Sequence, residues 1–317
     1  MSGRTLGTVL IIVGAVLALA ASAANTAGRV DPAMAELWVE PDDLATRDLY
    51  NGPWGVAHAP DPAAVYTFVA PKKNGINPGM TVLDPKGREW KVKQPPAPGR
   101  NAEGPIEVVL SRVLSGVGYH QPPVYFLPAF QLNDGKAVYQ VAGGRFRLSI
   151  PGLKDIGEWK WMHNPFVNTT PYYGLLTILL MFNSSDLKNS NNTLYEYRQP
   201  DGSMPQRWFV VRDIGTALGS TARLAPVRGD PDVFDRLGFI RRIENGFVEF
   251  HYNGRHQEVV DGRIRPGHVR WAAQLLARLS DAQWHDAFRA GGYEEPERQR
   301  FIRKLQSKIA DGLALRE

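Results

Sequence analysis

The sequence predicts an α+β protein, strand-rich in its first half and mostly helical in its second, behind an N-terminal export segment. Three observations carry that prediction. Short β-rich runs punctuated by proline and glycine occupy residues 66–93 and 124–150. A single helical stripe, Ile106, Val109, Leu110, Val113, Leu114 and Val117, interrupts them. From residue 172 onward, long apolar or amphipathic helical patterns dominate. The expected organisation is an export segment over 1–24, an irregular arm over 25–60, a strand-rich lobe over 61–152 and a helical lobe over 153–317.

The 317 residues, 43% hydrophobic and 10% aromatic, suffice for one large domain or two lobes with a substantial core. Charged residues make up 22%, which excludes a generally disordered chain. The net charge of +5 is dispersed, and no run of Lys and Arg reaches the length of a nucleic-acid or polybasic membrane patch. No nucleic-acid partner is expected. With no cysteine, disulfides, thiolate catalysis, thiolate zinc sites and iron–sulfur clusters are excluded.

At the N-terminus, Arg4 precedes an apolar stretch from Leu6 to Ala20, and Ala21-Ser22-Ala23 supplies a small-residue exit. A positive end, an apolar middle and an A-x-A site are the parts of a secretory signal peptide. The same stretch, extended to Ala24, is just long enough to remain as a membrane anchor. In either case the body is expected outside the cytoplasm, periplasmic or secreted, touching a membrane only through residues 6–24.

The arm is rich in Pro, Ala and Asp, with Trp38, Leu49, Tyr50 and Trp54 as anchors on the body. Strands are expected at Tyr66–Val69, Thr81–Leu83 and Glu89–Lys93, with a loop from Pro71 to Met80 and a tight turn at Asp84-Pro85-Lys86-Gly87. Pro105 suits the first turn of the helix that follows, and Gly116 and Gly118 its end. Strands are then expected around Val124–Phe130, Ala137–Val141 and Phe146–Ile150. Tyr172 to Phe182 is apolar on every face, so it reads as a buried helix too short to span a membrane. Strands Leu194–Tyr197 and Trp208–Val211 follow, then a hairpin around Asn253-Gly254 within 246–260. The chain closes with helices at Val269–Leu279, Asp281–Arg289 and Glu297–Leu313, and Ser280 is placed to cap the second.

The chemistry concentrates in two short motifs. Asp186-Leu187-Lys188-Asn189-Ser190-Asn191 comes directly after the buried helix, and Asp213-Ile214-Gly215 ends the second strand of the pair that follows. Asx and Ser clusters after a helix are ordinary loop chemistry, so the first motif alone says little. In this order, with two strands between them, the motifs resemble the D-L-K-x-x-N catalytic loop and D-F-G of the protein-kinase-like superfamily. The likeness is to its atypical branch of secreted, lipid and toxin-type kinases. The resemblance implies a bilobal fold that binds ATP and Mg²⁺. It implies Asp186 and Lys188 as catalytic residues and Asn191 and Asp213 as metal ligands. Phosphoryl transfer needs such a set, because it is mostly positioning and charge neutralisation.

The same resemblance calls for a lysine on the third strand and a glutamate on the next helix. Lys93 ends Trp90-Lys91-Val92-Lys93, whose alternation puts both lysines on one face. Solvation of an exposed face would explain them equally well. Glu107 lies near the start of the helix with Leu110, Ser111 and Leu114 at helical spacing, so its carboxylate wants a partner, and Lys93 would supply one. Helix-dipole complementarity is the simpler explanation of Glu107, and Glu103 is the fallback partner. Gly75 and Gly79, in the loop that begins Lys72-Lys73, would let backbone approach phosphate, although the G-x-G-x-x-G pattern is missing.

Departures from the family are specific. Ser184 and Ser185 stand where protein kinases carry His and Arg, Ile214 replaces Phe, and no A-P-E follows. The acceptor of the phosphoryl group therefore stays open among protein, glycan and lipid headgroup, and nucleotidyl transfer is open as well. Two functions compete: an exported Mg-ATP-dependent phosphotransferase, and a non-catalytic envelope protein that uses the scaffold to bind a partner. The seven histidines show no zinc spacing, and Ser220-Thr221 lacks the G-x-S-x-G context of a serine hydrolase.

Overall fold

The computed structural model describes residues 34–73, 77–95, 103–221 and 227–316. The expected export segment and Gly75 lie outside the described residues. Among those residues, no helix is long and apolar enough to cross a membrane.

The architecture is mixed α+β. Five strands form a closed barrel in the order β2 (Val65–Pro71), β3 (Gly79–Leu83), β4 (Glu89–Lys93), β6 (Val138–Leu148) and β5 (Val124–Asn133). Period-two alternation fills its interior: Tyr66, Val82, Trp90, Val92, Phe130 and Phe146 are all buried. Helix α1 (Glu103–Gly116) connects β4 to β5 and is buried along almost its whole length.

A four-stranded sheet runs β1 (Ala35–Glu36), β9 (Gln206–Val211), β8 (Asn192–Tyr197), β7 (Leu153–Gly157). Strand β7 eluded the sequence reading because its residues are mostly exposed and lack a clear alternation. Helix α2 (Thr170–Met181) is capped by Thr169 and buried from Tyr172 onward, as its uniform apolarity demands. It packs with α4 (Pro266–Ala277), α5 (Asp281–Ala290) and α6 (Glu295–Leu313) in one large apolar core. Ser280 caps α5 as expected, in a reciprocal box with Gln283. The short α3 (Pro231–Arg236) lies against α6, Arg300 joining Asp232 and Asp235.

Two expectations are corrected. Ala137–Val141 and Phe146–Ile150 are not separate strands but parts of the single β6. Gly143 and Gly144 lie inside it, and a Cβ on Gly144 would sit 2.2 Å from the Lys93 carbonyl oxygen. The glycines serve close strand approach rather than a turn. The late hairpin is β10 (Ile240–Glu244) with β11 (Phe247–Phe250), turning at Asn245-Gly246 rather than Asn253-Gly254. Asn245 and Gly246 both take positive φ, as a two-residue hairpin loop requires. Asn253 is instead held by Thr221, whose hydroxyl donates to its Oδ1 at 2.5 Å.

The arm holds the far end of α1. Trp38 Nε1 donates to the Val117 carbonyl at 2.7 Å and Arg47 Nη1 to that of Ser115 at 2.9 Å. Gln283 of α5 donates to the Leu44 carbonyl at 2.7 Å, so arm, α1 and helical core are fastened together. That fixes the helix on which Glu103 and Glu107 ride.

Candidate active site

Lys93 is the last residue of β4, and the alternation that buries Trp90 and Val92 inside the barrel points it outward, toward α1. Its ammonium lies 3.0 Å from Glu103 Oε2, 3.6 Å from Glu107 Oε2 and 3.2 Å from Asp213 Oδ1. Three segments distant in sequence thus meet at the ammonium of a lysine that is only 8% exposed. Burial alone would pull this lysine down. Glu107, Asp213 and Glu103 outweigh it and hold the ammonium above its ordinary range.

Asp213 arrives by a different route. Strands β8 and β9 pair in register from Tyr197–Gln206 to Asn192–Val211, and one step further the Arg212 N–H donates to the Asn191 carbonyl at 2.7 Å. Asn191 and Asp213 are therefore brought to the same end of one hairpin. Asp213 takes φ of 52°, a left-handed conformation that Asp tolerates better than most residues. Gly215 then passes so close to α1 that a Cβ would lie 2.4 Å from the Glu103 carbonyl oxygen. Burial pushes the Asp213 carboxyl up, but Lys93, Arg145, Arg212 and Arg147 more than reverse this and hold it well below the usual carboxylate range. It stays ionised, and its side chain is still 44% exposed.

The loop after α2 runs alongside. Ser185 N–H donates to the Thr216 carbonyl at 2.9 Å and Leu218 N–H to that of Phe182 at 2.8 Å, tying the two motif-bearing segments together. Asn191, almost fully buried, donates from Nδ2 to the Asp186 carbonyl at 2.8 Å, which shapes the loop. Asp186 Oδ2 pairs with Lys188 Nζ at 2.9 Å, while its Oδ1 is buried with no hydrogen-bond partner. A buried carboxylate oxygen without a donor is costly, so an incoming donor such as a hydroxyl would be welcomed.

Gly79 pairs with Lys93 across β3 and β4, and a Cβ there would meet the Val92 carbonyl oxygen at 2.3 Å. Its lack of a side chain is required by the strand contact beside Lys93. Lys72 is fixed nearby, donating to the Asn77 carbonyl at 3.0 Å, and the Asn77 amide reaches Glu103. Burial, followed by the charge of Lys93, pulls Lys72 down.

No group of three or more His, Asp or Glu among the described residues is placed to hold a metal alone. Magnesium does not require one, since it is usually bound by one or two carboxylates together with phosphate oxygens and water. Asp213 is one carboxylate of that kind, part-exposed at the cleft. The charge also fits: Lys72, Lys93, Arg145, Arg147 and Arg212 face Glu103, Glu107, Asp155 and Asp213. Metal added to this cationic excess needs a polyanion, which a nucleotide phosphate chain supplies.

The sequence reading missed Arg145, whose Nε lies 3.0 Å from Glu107 Oε1, and Arg228, which joins Glu103 at 2.8 Å. The signal was present for the first: Arg145 and Arg147 alternate along β6 as Lys91 and Lys93 do along β4. A cavity of about 980 Å³ lies elsewhere, between the arm and the β8–β9 sheet, walled by Trp54, Tyr197 and Trp208. None of Lys93, Glu103, Glu107, Asp186, Asn191 and Asp213 lines it.

No family model and no curated protein matches this chain. Among solved structures, the chain is similar to a Helicobacter pylori proinflammatory kinase, CtkA, at 10% identity and a TM-score of 0.34, over 81% of this chain and 100% of that one. It is similar also to the Rio2 kinase of Chaetomium thermophilum in an ADP/Mg²⁺-phosphoaspartate complex, at 13% identity and a TM-score of 0.34, over 77% of this chain and 71% of that one. At such scores neither likeness bears on function, and the site's own geometry must carry it.

Proposed function

We propose that this protein is an exported, atypical kinase-like phosphotransferase that uses Mg-ATP, its barrel and helical parts forming the two lobes of the nucleotide cleft. The observation that carries this reading is the convergence of Lys93, Glu103, Glu107 and Asp213 within 3.6 Å of one ammonium. Lys93 grips the phosphates and α1 fixes it through its two glutamates. Asp213 and Asn191 hold Mg²⁺, which when bound neutralises charge on the phosphate oxygens. Asp186, through its free Oδ1, orients the acceptor hydroxyl and takes its proton. Lys188, 2.9 Å from Asp186 Oδ2, supplies positive charge beside the transferred phosphoryl group. The acceptor belongs to protein, glycan or lipid headgroup chemistry.

Purified protein lacking residues 1–24 is the material for the test. Mg²⁺-dependent ATP hydrolysis is expected, and Asp186→Ala should lower turnover by about 10²–10⁴-fold while nucleotide binding persists. Binding without any turnover in the parent protein would move the reading to a non-catalytic envelope protein that keeps the nucleotide site. Absence of nucleotide binding under every divalent metal would overturn both.

A further inference from the structure

Arg147 is left over by the site as described. Strands β4 and β6 pair so that Arg145 lies opposite Lys93 and Arg147 opposite Lys91. Residues paired across a sheet share a face, so four cations stand together on the outside of the barrel, and like charges directly opposite repel. Three of the four are accounted for. Lys93 has its three carboxylates, Arg145 has Glu107, and Lys91 is exposed to water.

Arg147 is half-buried, and its side chain makes no hydrogen bond or ion pair among the described residues. Arg212 adds to the imbalance from β9, with Nη1 3.1 Å from the Tyr195 hydroxyl and 3.4 Å from Asp155, whose side chain is 49% exposed. Burial, together with Arg145, pushes Arg147 down to about 10, so it remains a cation at neutral pH. A guanidinium half removed from water, with only the longer-range pull of Glu107, which Lys93 and Arg145 already share, is costly unless an anion joins it. Its planar fork suits a phosphate oxygen pair.

We propose that Arg147, backed by Arg145 and Arg212, is a second phosphate subsite of the cleft, so that the bound ligand carries two phosphate groups at separate points. Two positions along a strand separate Arg147 from Arg145, which is about 7 Å. The ligand class we assign is a nucleotide with a second phosphate apart from its 5′ chain, such as one on its ribose, reaching Arg147 while the 5′ phosphate sits at Lys93. This rests on the reading that the cleft beside Lys93 takes a nucleotide.

The test titrates the purified full-length protein, without metal, with adenosine 5′-monophosphate, adenosine 3′,5′-bisphosphate and inorganic tripolyphosphate. The bisphosphate should bind at least about tenfold more tightly than the monophosphate, the order expected for one charge-assisted contact. That ratio should fall to about one in Arg147→Met and survive in Lys91→Met, which removes an equal charge from the same face. Arg147→Lys, which keeps the charge but not the fork, should retain part of the gain and guards against a folding defect in the first variant. A ratio near one in the parent protein, or one unchanged by Arg147→Met, overturns the second subsite while monophosphate binding leaves the nucleotide reading standing. Tripolyphosphate binding that depends on Arg147, with neither nucleotide bound, overturns the proposal together with the nucleotide reading and leaves only a general anion site. No binding of any of the three overturns both.

Discussion

Two lysines are buried among the described residues, and their surroundings are opposite. Lys93, at the barrel's edge, sits among three carboxylates and is held above the ordinary lysine range. Lys308, on α6 and 1% exposed, makes no ion pair among the described residues, and the pull of Asp311 does not offset its burial. Its nitrogen donates to the Met181 carbonyl and to Asn183 Oδ1, both at 2.8 Å, over the ring of Phe234. Burial, with Lys304 nearby, pulls it well below the ordinary range. One lysine is kept charged by a site crowded with anions. The other closes the end of α2 as a hydrogen-bond donor. Burial alone does not mark a functional lysine; what the surrounding groups offer it does.

The comparison can be broken most sharply at Lys93. Lys93→Met is expected to weaken Mg-ATP binding by about 100-fold or more, since a charge-assisted phosphate contact disappears and three carboxylates are left facing the phosphates. Calorimetry reads this directly, and a change under threefold would contradict it. Lys308→Met should leave that affinity alone and lower folding stability by about 1–3 kcal/mol, the cost of leaving its acceptors without a donor. Denaturant unfolding checks the second half of the contrast.

Glu103 and Glu107 sharpen the picture within the site. Glu103 is nearer to Lys93 and also holds Arg228, whereas Glu107 is shared with Arg145. Glu103→Gln is expected to weaken nucleotide binding by about tenfold, and Glu107→Gln by less. The reverse order would return the principal role to Glu107.

The smallest effect is a pH slope. Lys308 has a folded value below its unfolded one, so the unfolded chain holds a proton that the folded protein has lost. Stability should therefore rise with pH from that lowered value up to about 10.4 and flatten beyond it. Lys93 has the opposite sign: its contribution is complete below about 10.4 and is lost as pH rises through its raised folded value. Lys308→Met should abolish the rise, and an unchanged slope in that variant would show that another group carries it.

Much of this was legible in the sequence because it depends on neighbours. Period-two alternation placed Lys93 on the outer face, the uniform apolarity of residues 172–182 gave α2, and Ser280 announced the start of α5. Asp186, Asn191 and Asp213 are singled out by the resemblance of their two motifs, in order and with a strand pair between them, to those of kinase-like proteins. What depends on packing was not legible. Two Asn-Gly pairs carry the same turn signal, and only the contact of Asn253 with Thr221 shows why Asn245-Gly246 makes the hairpin. Glu103 joins Glu107 at Lys93 because the segment after β9 presses on the first turn of α1 at Gly215, a contact invisible to helical periodicity. Arg145 and Arg147 read as ordinary strand residues until β6 is laid against β4.

The central claim is that the Lys93–Asp213 cleft is the nucleotide site, and a crystal structure with Mg²⁺ and a non-hydrolysable ATP analogue tests it most directly. The account predicts phosphate oxygens within hydrogen-bond distance of Lys93 Nζ and the metal bound by Asp213 and Asn191. Nucleotide seated instead in the Trp54–Trp208 cavity, or metal bound away from both residues, would contradict it.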